Sequence, residues 1–75
     1  MEGSALIVVY PSALLGWEVV SPGCDEPLCF DDRDGAVQYA RNVAESVRPS
    51  RIQIEDWYGH IECEWVFAVE NVTTT

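Results

Sequence analysis

Short apolar runs alternate with clusters of turn-forming residues along the chain, and this pattern is typical of a small α+β domain. Residues 5–10 (ALIVVY) are rich in β-branched and aromatic side chains and predict a strand that is apolar on both faces. A turn ending at Gly16 leads to residues 17–21, which predict a second strand, so the two strands form a hairpin. After the loop 21–27, Leu28–Phe30 has the composition of a short third strand.

One helix is predicted between residues 31 and 49. Asp31 and Asp32 offer side-chain carboxylates for its N-cap, and Asp34 adds negative charge to the first turn, where the helix dipole favours it. Pro49 ends the helix, and Arg48 falls in the predicted last turn. Six apolar residues share one stripe that can pack on a sheet: Ala36, Val37, Ala40, Val43, Ala44 and Val47.

The C-terminal part of the chain alternates polar and apolar residues and predicts a second hairpin, with strands over 51–56 and 61–69. In the last strand the apolar positions are predicted to face the helix, and these are Ile61, Cys63, Trp65, Phe67 and Val69. The exposed face of the sheet is then expected to hold the carboxylates of Glu18, Glu55, Glu62 and Glu64 beside Gln53.

The expected fold is one α+β domain over residues 1–75. It has an antiparallel sheet of four or five strands and one α-helix packed on one face, in the order β-β-(β)-α-β-β. We expect an ordered core over about residues 5–69 and a flexible polar tail over 70–75.

Composition narrows the possible functions. The chain has 75 residues, 13 acidic and 4 basic side chains, and a net charge of −9, and its 48% hydrophobic content argues against disorder. All four cations are arginines. Direct nucleic-acid binding is not expected, because neutralising phosphates needs a basic patch.

The cysteines and the N-terminal segment indicate a cytoplasmic protein. The three cysteines, Cys24, Cys29 and Cys63, are an odd number in a short chain, which favours reduced thiols over a disulfide framework. The apolar run 5–10 is too short to span a membrane, and Glu2 is the only charge before it, so a signal peptide is not expected.

Several short motifs resemble a small family of uncharacterised prokaryotic domains with a hairpin-helix-hairpin (ββαββ) architecture. The resemblance extends over residues 7–67 and is carried by turn, hairpin and helix positions: VVYP at 8–11, GWEV at 16–19, Phe30, Ala36, Ala40, Arg41, IQI at 52–54, Gly59 and Ile61. Gly35 stands where family members often have Glu, and the charge balance here is acidic. Because the family has no assigned activity, the resemblance implies the fold and leaves the function open.

The sequence does not predict an enzyme or a cofactor. His60 is the single histidine, and no pattern fixes an orienting group or an oxyanion hole for a Cys–His pair. Cys24, Cys29, His60 and Cys63 form an alternative zinc set, although Cys29 and Cys63 are also explained as core residues. The segment around Asp31–Asp34 does not match a calcium-binding loop, because Phe30 and Arg41 occupy positions where that loop needs acidic residues.

The acidic clusters and the aromatic residues beside them are the candidate partner-binding site. Trp57 and Tyr58 lie in a turn and resemble interface anchors within an acidic rim. The full predicted set is Asp25, Glu26, Asp31, Asp32, Asp34, Glu55, Asp56, Trp57, Tyr58, Glu62 and Glu64.

The leading functional hypothesis is therefore a non-enzymatic inhibitor that occupies a basic, nucleic-acid-binding surface of a partner protein or complex. In size and acidity it is similar in type to phage-encoded inhibitors of host defence, including anti-CRISPR proteins. The alternatives are a housekeeping domain that forms a homodimer through an open sheet edge, and a zinc-stabilised module.

Overall fold

A computed structural model of the chain describes residues 5–14, 16–23 and 25–68. The predicted tail (70–75), Val69 and Cys24 lie outside these residues. The described elements follow in chain order: β1 (Ala5–Ser12), β2 (Gly16–Val20), β3 (Leu28–Phe30), α1 (Arg33–Ser46), β4 (Ser50–Glu55) and β5 (Ile61–Phe67). The α+β class with one helix is confirmed.

The sheet is mixed, so the prediction of an antiparallel sheet was wrong. Its spatial order is β3-β2-β1-β4-β5, which is not the order of the strands along the chain. β1 and β4 pair in parallel, whereas the other three neighbouring pairs are antiparallel. The physical reason is the helix: it crosses the sheet from the β3 edge and returns the chain beside β1, and a crossover of this kind joins parallel strands.

The hydrophobic core lies between α1 and the three central strands. Small side chains on the helix allow close approach, since Ala36, Ala40 and Ala44 are fully buried. Opposite them the sheet contributes buried aliphatic side chains: Ile7, Val9, Val19, Ile52 and Ile54. The predicted helix stripe is thus confirmed at its alanines, while Val47 at its end is exposed.

Local contacts define both ends of α1. The Asp32 carboxylate accepts a 2.8 Å hydrogen bond from the backbone N–H of Gly35, which confirms it as N-cap. At the other end the helix finishes at Ser46, so Arg48 lies beyond its last turn and not within it as predicted. Val47 caps the C-terminus by donating its backbone N–H to the Val43 carbonyl.

A register shift at the start of β5 overturns the predicted alternation there. Cys63 pairs with Ile54, but the next pair is Ile61 with Glu55, so Glu62 is an extra residue between them. Ile61 is therefore exposed opposite Glu55 instead of facing the helix. Glu62 does not join the exposed sheet face, and its carboxylate contacts Arg33 at the start of α1.

Candidate functional site

One end of the sheet collects most of the predicted site residues. β1, β3 and β4 run in the same direction and α1 runs back, so three strand C-termini and the helix N-terminus meet there. Six carboxylates lie in the segments at this end, which we call the acidic end: Asp31, Asp32, Asp34, Glu55, Asp56 and Glu62. The topology thus joins two acidic clusters that are separated along the chain.

The turn between β4 and β5 is organised by Asp56. One oxygen of its carboxylate accepts backbone hydrogen bonds from Tyr58 at 2.9 Å and His60 at 3.0 Å. These bonds, above all the one from His60, lower the pKa of Asp56 below its ordinary value of 3.8. The other carboxylate oxygen lies 3.8 Å from the His60 ring, and Gly59 completes the turn at positive φ. The turn geometry is therefore maintained by a charged group.

Trp57 and Tyr58 extend from this turn into solvent. Their side chains are 64% and 84% exposed, so neither folds back over the end of the sheet. Leu14, in the β1–β2 turn at the same end, is 92% exposed. Large exposed side chains within an acidic rim can provide apolar contact area for a protein partner.

Besides Asp56, two carboxylates at the acidic end already have partners. Asp32 caps the helix, as described above. Glu62 lies 3.4 Å from the guanidinium of Arg33, which itself lies 6.0 Å from the centre of the Trp17 ring. In the segments of the acidic end that the structure describes, Arg33 is the one arginine among these six acids.

The other predicted site residues lie elsewhere. Asp25 and Glu26 belong to the β2–β3 loop, which is at the opposite end of the sheet. Glu64 is on the sheet face away from the helix, where Arg51 contacts it at 3.3 Å and Gln53 donates a 3.1 Å hydrogen bond to it. The predicted set is therefore not one continuous surface.

The sheet face away from α1, which we call the open face, is less acidic than expected. Tyr10 donates a 3.0 Å hydrogen bond to Glu18. Partial burial of Tyr10 is the larger cause, and this hydrogen bond the second cause, that raises the pKa of the tyrosine above 10.0. Apolar side chains share the face with these polar groups, namely Leu6, Val8, Val20, Ile61 and Val66. The hydrogen bond from Tyr10 to Glu18 and the contacts of Arg51 and Gln53 with Glu64 reduce the like-charge repulsion expected on this face.

The contacts of the arginines with β5 were not predicted from the sequence. The guanidinium carbon of Arg41 lies over the Trp65 ring, 5.5 Å from its centre, and that of Arg48 lies over the Phe67 ring at 5.4 Å. Arg33 and Arg51 contact the carboxylates of Glu62 and Glu64. All four arginines of the chain thus contact β5. The spacing of Arg33 and Arg41 on one side of the helix was the available signal.

Cys29 and Cys63, the two thiols of the alternative zinc set that the structure describes, do not lie together. Cys29 is exposed on the open face of β3, opposite Glu18, and is not the core residue that its apolar neighbours predicted. Cys63 is on the helix side of β5, at the other edge of the sheet, so the two strands are roughly 19 Å apart. Within the described ranges no group of three His, Cys, Asp or Glu side chains is placed to hold a metal ion.

Comparisons with protein-family models, curated proteins and solved structures found no match to this chain. In the described part of the chain, no helix has the length and apolar character needed to cross a membrane.

Proposed function

We propose that this domain is a non-enzymatic protein-binding module whose acidic end binds a basic surface of a partner protein. The observation that carries the proposal is the exposure of Trp57 and Tyr58 within an end that holds six carboxylates and one arginine. The aromatic side chains supply apolar contact area, and the carboxylates supply charge complementarity and faster association.

The turn geometry supports a preorganised surface. Asp56 binds two backbone N–H groups of the turn that displays Trp57 and Tyr58, so these aromatic residues are attached to an ordered segment. A preorganised segment loses less conformational entropy when it binds. Within this proposal, Trp57 and Tyr58 are the contact residues and Asp56 positions them.

The narrower form of the proposal concerns the type of partner. Carboxylates grouped at one end of a domain can occupy Arg and Lys sites that otherwise bind phosphates. We therefore propose the nucleic-acid groove of a protein or complex as the partner surface, which would make the domain an anti-defence inhibitor of the anti-CRISPR type. The grouping of residues 31–34 with residues 55–62 supports this form.

The test is capture of partners from nuclease-treated host lysate by the tagged domain, followed by salt titration with each purified partner. The proposal expects a basic, nucleic-acid-handling protein that binds at low salt and is released at high salt. Substituting Trp57 and Tyr58 by Ser should weaken binding at least tenfold, as expected for interface anchors worth more than about 1.4 kcal/mol.

A matched pair of variants separates local charge from total charge. Asp31→Asn with Glu55→Gln removes two charges at the acidic end and leaves the Asp56 turn and the Asp32 cap intact, while Asp25→Asn with Glu26→Gln removes two at the other end. The proposal expects weaker binding only for the first pair. Equal losses for both pairs, or no loss for either, would contradict it.

A further inference from the structure

The outer edge of β5 combines an unpaired strand edge, an exposed aromatic ring and nearby arginines. β5 is an edge strand, and the sheet has no sixth strand beyond it in the described part of the chain. The helix packs mainly on β1, β2 and β4, so β5 lies at the margin of the area that α1 covers. Trp65 is consequently 38% exposed, although its alternation predicted a core position. Long arginine side chains reach β5 from α1 and from the segment after it.

Arg41 and Arg48 are unusual cations for a chain with 13 acidic residues. Each guanidinium lies over an aromatic ring of β5, and neither contacts a carboxylate among the described residues. Arg48 donates one hydrogen bond, of 3.1 Å, to the Ala68 carbonyl. Both residues are exposed. A guanidinium that lies over a ring and has no carboxylate partner retains N–H groups that can bind the carboxylate of another molecule.

A groove of about 520 Å³ follows this edge and is lined by Arg41, Glu64, Trp65, Val66 and Phe67. Trp65 and Phe67 are on the helix side of β5, whereas Glu64 and Val66 are on the open face. Side chains from both faces of one strand border the same space only along the strand's unpaired edge. The groove therefore exposes the backbone edge of β5 between an arginine and an aromatic ring.

We propose that the outer edge of β5 binds an extended, acidic segment of another protein as an additional strand, with Arg41 and Arg48 binding its carboxylates. Backbone hydrogen bonds along the seven residues of β5 would supply affinity, and the two arginines would supply selectivity. Charge complementarity identifies the occupant, because a second copy would bring its own arginine-bearing edge against these arginines.

This surface is separate from the proposed function of the acidic end. The two surfaces prefer ligands of opposite charge, and the groove residues do not include the turn aromatics. A domain with both surfaces would connect a basic partner surface to an acidic strand. Either surface can exist without the other, so their tests are independent.

The test uses fluorescence anisotropy with a labelled peptide of about ten residues in which Glu alternates with Thr or Val, long enough to pair along β5. Arg41→Gln and Arg48→Gln should each weaken binding roughly tenfold, as for one lost charge-assisted hydrogen bond. Arg33→Gln is the matched control, because its guanidinium already contacts Glu62, and we expect less than about a twofold change.

Two further peptides test the mode of binding without altering the protein. A peptide with Lys in place of Glu should not bind, and a Glu peptide methylated at every backbone nitrogen should lose binding, because neither of its edges can then pair with a strand edge. Amide NMR shifts should change along β5 and not along β3.

Equal binding of the Lys and Glu peptides would overturn the proposal, as would unaffected binding of the methylated peptide. Light scattering provides another decisive outcome. A dimer whose β5 amides are already protected and which excludes the peptide would assign this edge to a second copy and contradict the proposal.

Discussion

The Ser50 hydroxyl donates a 2.7 Å hydrogen bond to the backbone carbonyl of Ala44, and both residues are completely buried. Ala44 lies in the last turn of α1, where carbonyls lack partners within the helix. Ser50 is the first residue of β4. This single contact therefore satisfies a buried carbonyl and connects the end of the helix to a central strand.

Ser50→Ala should lower the free energy of unfolding by about 1–3 kcal/mol, because the Ala44 carbonyl would remain buried without a partner. Ser46→Ala is the matched control, since its exposed hydroxyl donates to the Asn42 carbonyl, which water can reach. We expect the control to change stability by less than about 0.5 kcal/mol. Urea unfolding measures both values, and similar losses would contradict the assigned role of Ser50.

Gly16 should tolerate no side chain. Its φ is +88°, and a Cβ added there would lie 2.5 Å from the backbone carbonyl oxygen of Phe30. Gly23 has a similar φ of +81°, but a Cβ there meets nothing within 4 Å. Gly23→Ala should therefore cost about 1–2 kcal/mol from backbone strain alone. Gly16→Ala should cost clearly more, because β2 and β3 must separate. Thermal unfolding of the two variants compares these costs, and equal values would refute the steric explanation.

Asp32 contributes to helix stability as well as to the charge of the acidic end. Asp32→Ala should reduce the free energy of unfolding by about 1 kcal/mol, because the Gly35 N–H loses its cap. Asp32→Asn should retain most of the stability, since Asn caps about as well as Asp. Helical circular dichroism during urea unfolding distinguishes them. A loss as large for Asn as for Ala would show that charge, and not capping, accounts for the effect. The Asn variant is therefore the one to use in binding experiments.

Acid should loosen the turn that displays Trp57 and Tyr58. The folded pKa of Asp56 is lowered from 3.8, so its stabilising contribution is present above pH 3.8 and is lost as the pH falls through the folded pKa. NMR titration of its carboxyl carbon should give a lower pKa in the folded protein than in a peptide of residues 54–62. The Tyr58 and His60 amides should shift with the same midpoint. A folded pKa equal to that of the peptide would contradict this assignment.

Elements governed by local chemistry could be predicted from the sequence. The helix followed from its alanine and valine spacing and from the N-cap at Asp32, because both signals act within a few residues. The hairpin strands followed from alternation and turn residues. The exposure of Trp57 and Tyr58 was also predictable, since a turn flanked by polar residues offers little area for burial.

Features that depend on distant pairing could not be predicted. The parallel contact of β1 with β4 is set by the path of the helix, which no local pattern records. The register shift at Glu62 interrupts an otherwise regular alternation, so that residue was assigned to the wrong face. The separation of Asp25 and Glu26 from the acidic end has the same origin, since strand direction decides which loops are neighbours.

The parallel pair also determines how the chain can fold during synthesis. Ala5 pairs with Ser50, so one side of β1 has no partner until β4 has left the ribosome. The three-stranded meander of β1, β2 and β3 can form earlier, with Ile7 and Val9 uncovered until α1 and β4 follow. Closing this long-range pair is therefore expected to limit the folding rate. Before it closes, the exposed side chains of the meander offer an apolar surface to which a ribosome-associated chaperone can bind.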